Sequence, residues 1–260
     1  MRVLLKSTLL ILAAFAGTAH AADTIQESKV LGFGVAAAPE FKGGERYKAF
    51  PLLIADYQDA SGFFLSTYRG IGYLTSVEGI KLSAALHYAP GRNSGDLPGY
   101  YRSKALNGMG EIEGSAVAKL SASTKVAGLV TLDATATLAL TNRENGNTYK
   151  LGASMPLMQT ETDQLTLKGG IGFGDRKHMQ TYYGVTQQQT VASGYRYRNY
   201  TAKAGVEDVS LAVNWNHVLD KNWSVNSTVG VTRQVGNAAD TPLALRKTAP
   251  MLMTSVNYKF

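Results

Sequence analysis

Three histidines follow residue 21: His87, His178 and His217. They are the natural general bases of the chain, because an imidazole activates a serine hydroxyl when the two lie within hydrogen-bond reach and a third polar group orients the ring. Ser83 shares a strand face with His87, but no specific hydrolase motif surrounds either residue. His217 continues the apolar face that runs through Trp215, and His178 lies in a long connection after Phe173. Interfacial and loop roles are expected for these rings, and no catalytic residue is assigned. The chain contains no cysteine, which excludes thiol nucleophiles and thiolate metal sites. Other metal sites need clustered His, Asp or Glu. Glu207-Asp208 and Glu111 with Glu113 are separate pairs and read as strand-end charges. Gly32-x-Gly34 and Gly170-x-Gly172-x-Gly174 lack the strand-to-helix context of a phosphate loop and fit close packing and curvature of strands instead. No cofactor is implied. Asp240-Thr241-Pro242 is either a contact or loop-folding site or a plain turn, where Asp and Pro are at home.

The elements that position these residues begin with an export signal. Arg2 and Lys6 form a basic start, an apolar run extends from Ser7 to about Gly17, and Ala19-His20-Ala21 precedes Ala22. That is the pattern of a secretory signal peptide over 1–21, cleaved after Ala21. The run is shorter than the roughly 20 apolar residues of a membrane-spanning helix. No other segment approaches a transmembrane helix, so a membrane-embedded mature chain has to be a closed barrel, the other structure that satisfies its backbone in lipid. The formal charge of the full chain is +7, and loss of Arg2 and Lys6 leaves 24 basic and 19 acidic residues, or about +5. The basic residues are scattered, which gives no nucleic-acid patch.

Apolar and polar residues alternate with the period of strands in segment after segment. In the last one, Thr248, Pro250, Leu252, Thr254, Val256, Tyr258 and Phe260 share a face opposite Met251, Met253, Ser255, Asn257 and Lys259. The same pattern runs through 31–37, 80–88, 130–140, 148–157, 165–173, 209–216 and 223–232, less cleanly through 47–57 and 62–75, and weakly through 111–123 and 195–206. These segments predict a transmembrane antiparallel up-and-down β-barrel of about twelve strands, each roughly 10 residues long. It forms a single domain over 22–260, with both termini on the periplasmic side. Short turns are expected near 58–61, 76–79, 142–147, 159–163 and 219–222, and long connections through 38–46, 90–110, 175–196 and 235–247. Tyr88, Tyr100, Tyr101, Tyr182, Tyr183, Tyr195, Tyr197, Tyr200 and Trp223 fall at strand ends, where barrels place aromatic girdles. Phe260, with Tyr258 two residues behind it, looks like the terminal signal read by the barrel-assembly machinery. A soluble sandwich also alternates, but here the apolar faces are rich in Ala and Gly and the opposite faces in Thr, Ser, Asn and Gly, as a polar lumen would be.

Specific residues carry a family resemblance. The chain opens with Pro39-Glu40-Phe41-Lys42-Gly43, then Arg46-Tyr47, Pro51, Asp56-Tyr57, Gly62-Phe63-Phe64 and Gly70-Ile71-Gly72. Tyr183-Gly184-Val185-Thr186, Ser193-Gly194-Tyr195, Ala204-Gly205-Val206-Glu207-Asp208 and Gly236-Asn237-Ala238-Ala239-Asp240-Thr241-Pro242 follow, and Tyr258-Lys259-Phe260 closes the sequence. In this order and spacing they resemble the MipA/OmpV family, the MltA-interacting proteins of Gram-negative outer membranes. Thr186 and Thr241 stand where the pattern has Ser, and about 100–170 matches in pattern alone. The resemblance implies an outer-membrane barrel that acts as a non-catalytic scaffold linking a lytic transglycosylase to a penicillin-binding protein. The residues themselves also admit a small diffusion or transport pore, with Lys81, Lys150, Lys168 and Asp133 on the polar face and no dense charged constriction to set ion selectivity. A surface hydrolase is the third and weakest reading.

Overall fold

The computed structural model describes residues 25–92 and 103–260, so the expected signal peptide with Ala19, Ala21 and Ala22, and also Tyr100 and Tyr101, lie outside the described residues. Twelve strands close into one antiparallel barrel: β1 (Ser28–Pro39), β2 (Tyr47–Gln58), β3 (Phe63–Ser66), β4 (Gly70–Val77), β5 (Ile80–Ala89), β6 (Ser115–Val126), β7 (Val130–Ala139), β8 (Thr148–Gln159), β9 (Asp163–Gly174), β10 (Gly205–Val218), β11 (Trp223–Gln234) and β12 (Thr248–Lys259). Each strand pairs with its sequence neighbours, and β1 closes on β12 with Val30 opposite Lys259 and Ala37 opposite Leu252.

The wall is apolar on the outside. Leu53 is 71% exposed and Phe33 66%, and Leu31, Ile71, Leu86, Leu120, Leu132, Leu151, Leu211, Val229 and Leu252 also face outward. Such a continuous apolar belt has no place in water, where exposed patches stay near a few hundred Å². Around a closed barrel it is the lipid-facing band. The inner face is polar, and Ser121 with Thr135, and Asn214 with Asn226 and Thr228, hydrogen-bond across it.

Two segments differ from the sequence expectation, and their differences cancel in the count. The stretch 62–75 is two strands, because the chain reverses at 67–69. There Arg69 folds back onto Asp56 at 2.8 Å and Gln58 at 2.8 Å, and its guanidinium lies over the Phe64 ring. Gly70 takes a φ of +95° that side chains resist, which permits the sharp re-entry into β4. The stretch 195–206 is a connection up to Gly205, where β10 begins.

Tight turns at 59–62, 78–79, 127–129, 160–162 and 219–222 share one rim with the start of β1 and the end of β12. Short turns of outer-membrane barrels face the periplasm, which assigns this rim. The expected short turn at 142–147 belongs to the opposite rim, with the connections 40–46, 90–114, 175–204 and 235–247. On that rim the connections carry α1 (Arg176–Tyr183), α2 (Gln187–Ala192) and α3 (Gly236–Asp240). Asp175 caps α1 by accepting from the His178 N–H, and Thr186 with Gln189 forms a reciprocal capping box on α2.

A buried ionic latch beneath a helical lid

The connections of the long rim build a lid with its own core. Leu106, Met109, Val185, Tyr197 and Leu243 form one buried cluster, and Met179, Tyr183, Ala202 and Ala238 a second, with Tyr200 against both. Every one of these residues lies in a connection or a lid helix, and none in a strand. Burying a large apolar side chain contributes about 1.5–3 kcal/mol, so the lid is a packed unit, not a set of loose loops. Polar ties join its parts: Tyr197 Oη donates to the Ala105 carbonyl (2.7 Å), Gln189 Nε2 to the Met109 carbonyl (2.7 Å) and Tyr200 Oη to the Asn237 carbonyl (2.9 Å). The aromatic girdle expected from sequence is therefore divided. Tyr88, Trp223 and Tyr195 are exposed, whereas Tyr183 and Tyr197 are buried inside the lid.

Beneath the lid the barrel wall carries a charged hub. The pairing of β10 with β9 slips between Val206 and Asp208, so Glu207 is the extra residue of a β-bulge. A bulge breaks the two-residue alternation and re-aims side chains. Here both Glu207 and Asp208 are buried. Glu207, 1% exposed, accepts from Lys42 Nζ at 2.8 Å on one oxygen, and from His178 Nε2 and Tyr183 Oη, each at 3.0 Å, on the other. Lys42 also reaches Asp208 at 3.3 Å. The other ring nitrogen of His178 faces the Asn145 carbonyl at 3.2 Å. The ring stacks on Tyr182 at 4.6 Å. One carboxylate thus ties the β1–β2 connection, α1 and the wall together. The reading of Glu207-Asp208 as plain strand-end charges is corrected, because the bulge turns them inward, where only pairing makes burial tolerable.

Burial and the neighbouring Glu207 carboxylate push the Tyr183 phenol above its ordinary value of 10.0. Burial works to lower Lys42, but the anionic groups around it outweigh burial and raise it above 10.5. Both groups therefore release protons more readily when the lid is open. Their stabilisation of the closed lid is complete below pH 10 and is lost as the pH rises beyond it. Subtilisin cleavage of the lid is expected to stay slow up to about pH 10 and to accelerate above it, with a smaller acceleration for Tyr183→Phe.

The other sequence candidates scatter. Thr241 is 4% exposed, and its hydroxyl donates to the Tyr183 carbonyl while receiving the Leu243 N–H. Asp240 is exposed, 3.9 Å from Lys247, and Pro242 lines a shallow recess with Glu45, Lys104 and Tyr197. Thr241→Val strands a buried carbonyl and is expected to cost the lid about 1–3 kcal/mol, read as faster proteolysis of 176–204. Ser83 and His87 stand four residues apart along β5, opposite Ser121 and Val117, which at about 3.3 Å per residue leaves them out of hydrogen-bond reach of each other. His217 pairs with Asp163 at 2.8 Å at the periplasmic end, where Trp215 donates to the same carboxylate. Tyr258 packs edge-on against Trp223 and Phe260, and Phe260 stays exposed. No group of three or more potential metal ligands occurs among the described residues. The hub itself was missed by sequence reading, since its carboxylate and its lysine stand 165 residues apart.

Comparison with known proteins places this architecture. No curated protein matches the chain. Among solved structures it is similar to the NanC porin (8% identity, TM-score 0.46, covering 89% of this chain and 100% of that one). It is similar also to an outer membrane channel from Pseudomonas putida F1 (10% identity, TM-score 0.45, covering 91% and 96%). The family model for MltA-interacting protein MipA matches residues 31–260. With its closed twelve-stranded wall and lipid-facing belt, the molecule is an outer-membrane barrel of a Gram-negative bacterium. The chain belongs to the MltA-interacting protein MipA family.

Proposed function

We propose that this barrel is a non-catalytic scaffold for peptidoglycan-remodelling enzymes, a lytic transglycosylase and a penicillin-binding protein. The lid is the observation that carries this reading: its packed core and ionic latch hold the described connections of the long rim together as one unit. A rim built as a packed unit favours work through the protein's surface over steady flow. The periplasmic rim is built for contact, with turns pinned by their own side chains. Asp59 accepts from Ser61 and Asp220 from the Asn222 and Trp223 N–H groups. The family's name supports a lytic transglycosylase as one partner. The same proposal includes export with cleavage after Ala21 and recognition of Tyr258 and Phe260 by the barrel-assembly machinery. In the test, the refolded mature barrel is immobilised and envelope extract passed over it. Retention of a transglycosylase or a penicillin-binding protein, absent with an unrelated barrel, is the expected result, and retention of neither overturns the scaffold.

A small diffusion or transport pore is the second reading, favoured by the inner wall of Thr, Ser, Asn and Gly residues. Planar-bilayer recording separates the two: the latched barrel is expected to show no steady conductance, and the pore reading needs one.

A further inference from the structure

The inner wall holds more charge than its ion pairs consume. Lys42 is taken by Glu207 and Asp208, Lys48 by Glu40, and Arg69 by Asp56. Lys119 donates to the Tyr68 carbonyl. What remains on β7, β8 and β9 is Lys150, Lys168 and Asp133, none with a hydrogen-bond or ion-pair partner among the described residues. Strand register brings them together. One inward row reads Thr135, Lys150, Gly172, Asp208; the next Asp133, Gly152, Gly170, Ser210; the next Thr131, Ser154, Lys168, Ala212. From these three rows Lys150, Lys168, Asp133, Asp208, Ser154 and Ser210 line one cavity of about 290 Å³.

The glycines shape its floor. A Cβ on Gly152 would lie 2.5 Å from an Asp133 carboxylate oxygen, and one on Gly172 would lie 2.9 Å from Asp208. The missing side chains let both carboxylates lie down on the sheet and leave the surface above it open. The cavity lies at the small end of the usual ligand-pocket range of about 300–1,000 Å³, which suits one ring better than a chain. A simple anion is attracted by the two lysines but repelled by Asp133. A ligand carrying both a carboxylate and hydroxyl donors satisfies all three charges. Ser154 and Ser210 add two uncommitted hydroxyls on the same wall.

We propose that this patch binds an acidic monosaccharide, with its carboxylate on Lys150 or Lys168 and its hydroxyls on Asp133, Ser154 and Ser210. The site is independent of the scaffold reading, and either can fail alone.

The test is calorimetric titration of the refolded mature barrel in detergent with sodium glucuronate, glucose and inorganic phosphate in turn. Saturable glucuronate binding is expected, weakened at least tenfold in the double variant K150Q/K168Q and unchanged in Lys81→Gln on the periplasmic rim. Heat-modifiable gel mobility verifies that each variant is a folded barrel. Independently of any variant, 0.5 M sodium chloride is expected to weaken wild-type binding, as screening of a lysine–carboxylate contact requires. Equal affinity for glucose or phosphate, no loss in the folded double variant, or insensitivity to salt overturns the proposal.

Discussion

Glu207→Ala is expected to open the lid while leaving the barrel closed. The substitution removes the single acceptor shared by Lys42, His178 and Tyr183. Tyr183 is 1% exposed, so its hydroxyl is left buried without a partner, and His178 Nε2 loses its carboxylate partner as well. Breaking a buried pair from one side costs about 3–5 kcal/mol. The lower end applies, because Lys42 keeps half its side-chain surface in contact with solvent and retains Asp208. About 3 kcal/mol in the opening equilibrium corresponds to roughly a hundredfold more open lid. Limited proteolysis under conditions where opening is fast reports that population directly, and trypsin has sites at Lys177, Arg196 and Lys203. Glu207→Gln keeps an acceptor for Tyr183 and is expected to fall between the two. Cleavage rates equal to wild type in Glu207→Ala would remove the latch from the account. The pairs of the β1–β12 seam do not involve Glu207, so heat-modifiable mobility should persist.

Gly34→Leu is expected to do the reverse and prevent the barrel from closing at all. Gly34 pairs with Ser255 across the seam where the first strand meets the last. A Cβ placed there would stand 2.2 Å from the Thr254 carbonyl oxygen and 2.7 Å from the Ser255 Cβ. Backbone on the partner strand cannot swing aside as a flexible side chain does, so the seam has to part. Without this seam two strand edges lie in lipid with unpaired N–H and C=O groups, at several kcal/mol for each group. The folded fraction after refolding into vesicles, read from heat-modifiable mobility, should fall to a small residue. Gly79→Ala is the matched control, because nothing stands within 4 Å of its Cβ position, although its positive φ adds a local strain of about 1 kcal/mol. Normal folding of Gly34→Leu would mean that the seam relaxes.

The two glycine runs noticed in the sequence thus have different uses. Gly32 and Gly34 let the closing strands approach, as expected of strand glycines, whereas Gly170 and Gly172 lie on the inner wall beside Ser210 and Asp208. Ion selectivity is a further point where sequence and structure part. The polar face by itself shows no dominant sign of charge. Three-dimensional pairing withdraws Glu207, Asp208 and Asp56 into ion pairs and leaves Lys150 and Lys168 against Asp133. Pairing partners set this balance, and they are strands apart.

The class of the molecule and the orientation of its wall follow from local residue pattern. Alternation is a local property: a two-residue period decides which side chains share a face, and Leu211 with Trp215, or Leu252 with Val256, point outward as the period requires. The tertiary structure alone decided the latch and the lid. Glu207 faces inward because one extra residue in β10 shifts the register against β9, and a shift of that kind is defined only by the partner strand. Met179, Val185, Leu106 and Leu243 carry no shared period, since they come from three connections and meet only when the barrel brings those connections to one rim. The aromatic residues of 195–206 mimic a barrel girdle in sequence, while in the fold Tyr197 and Tyr200 anchor the lid.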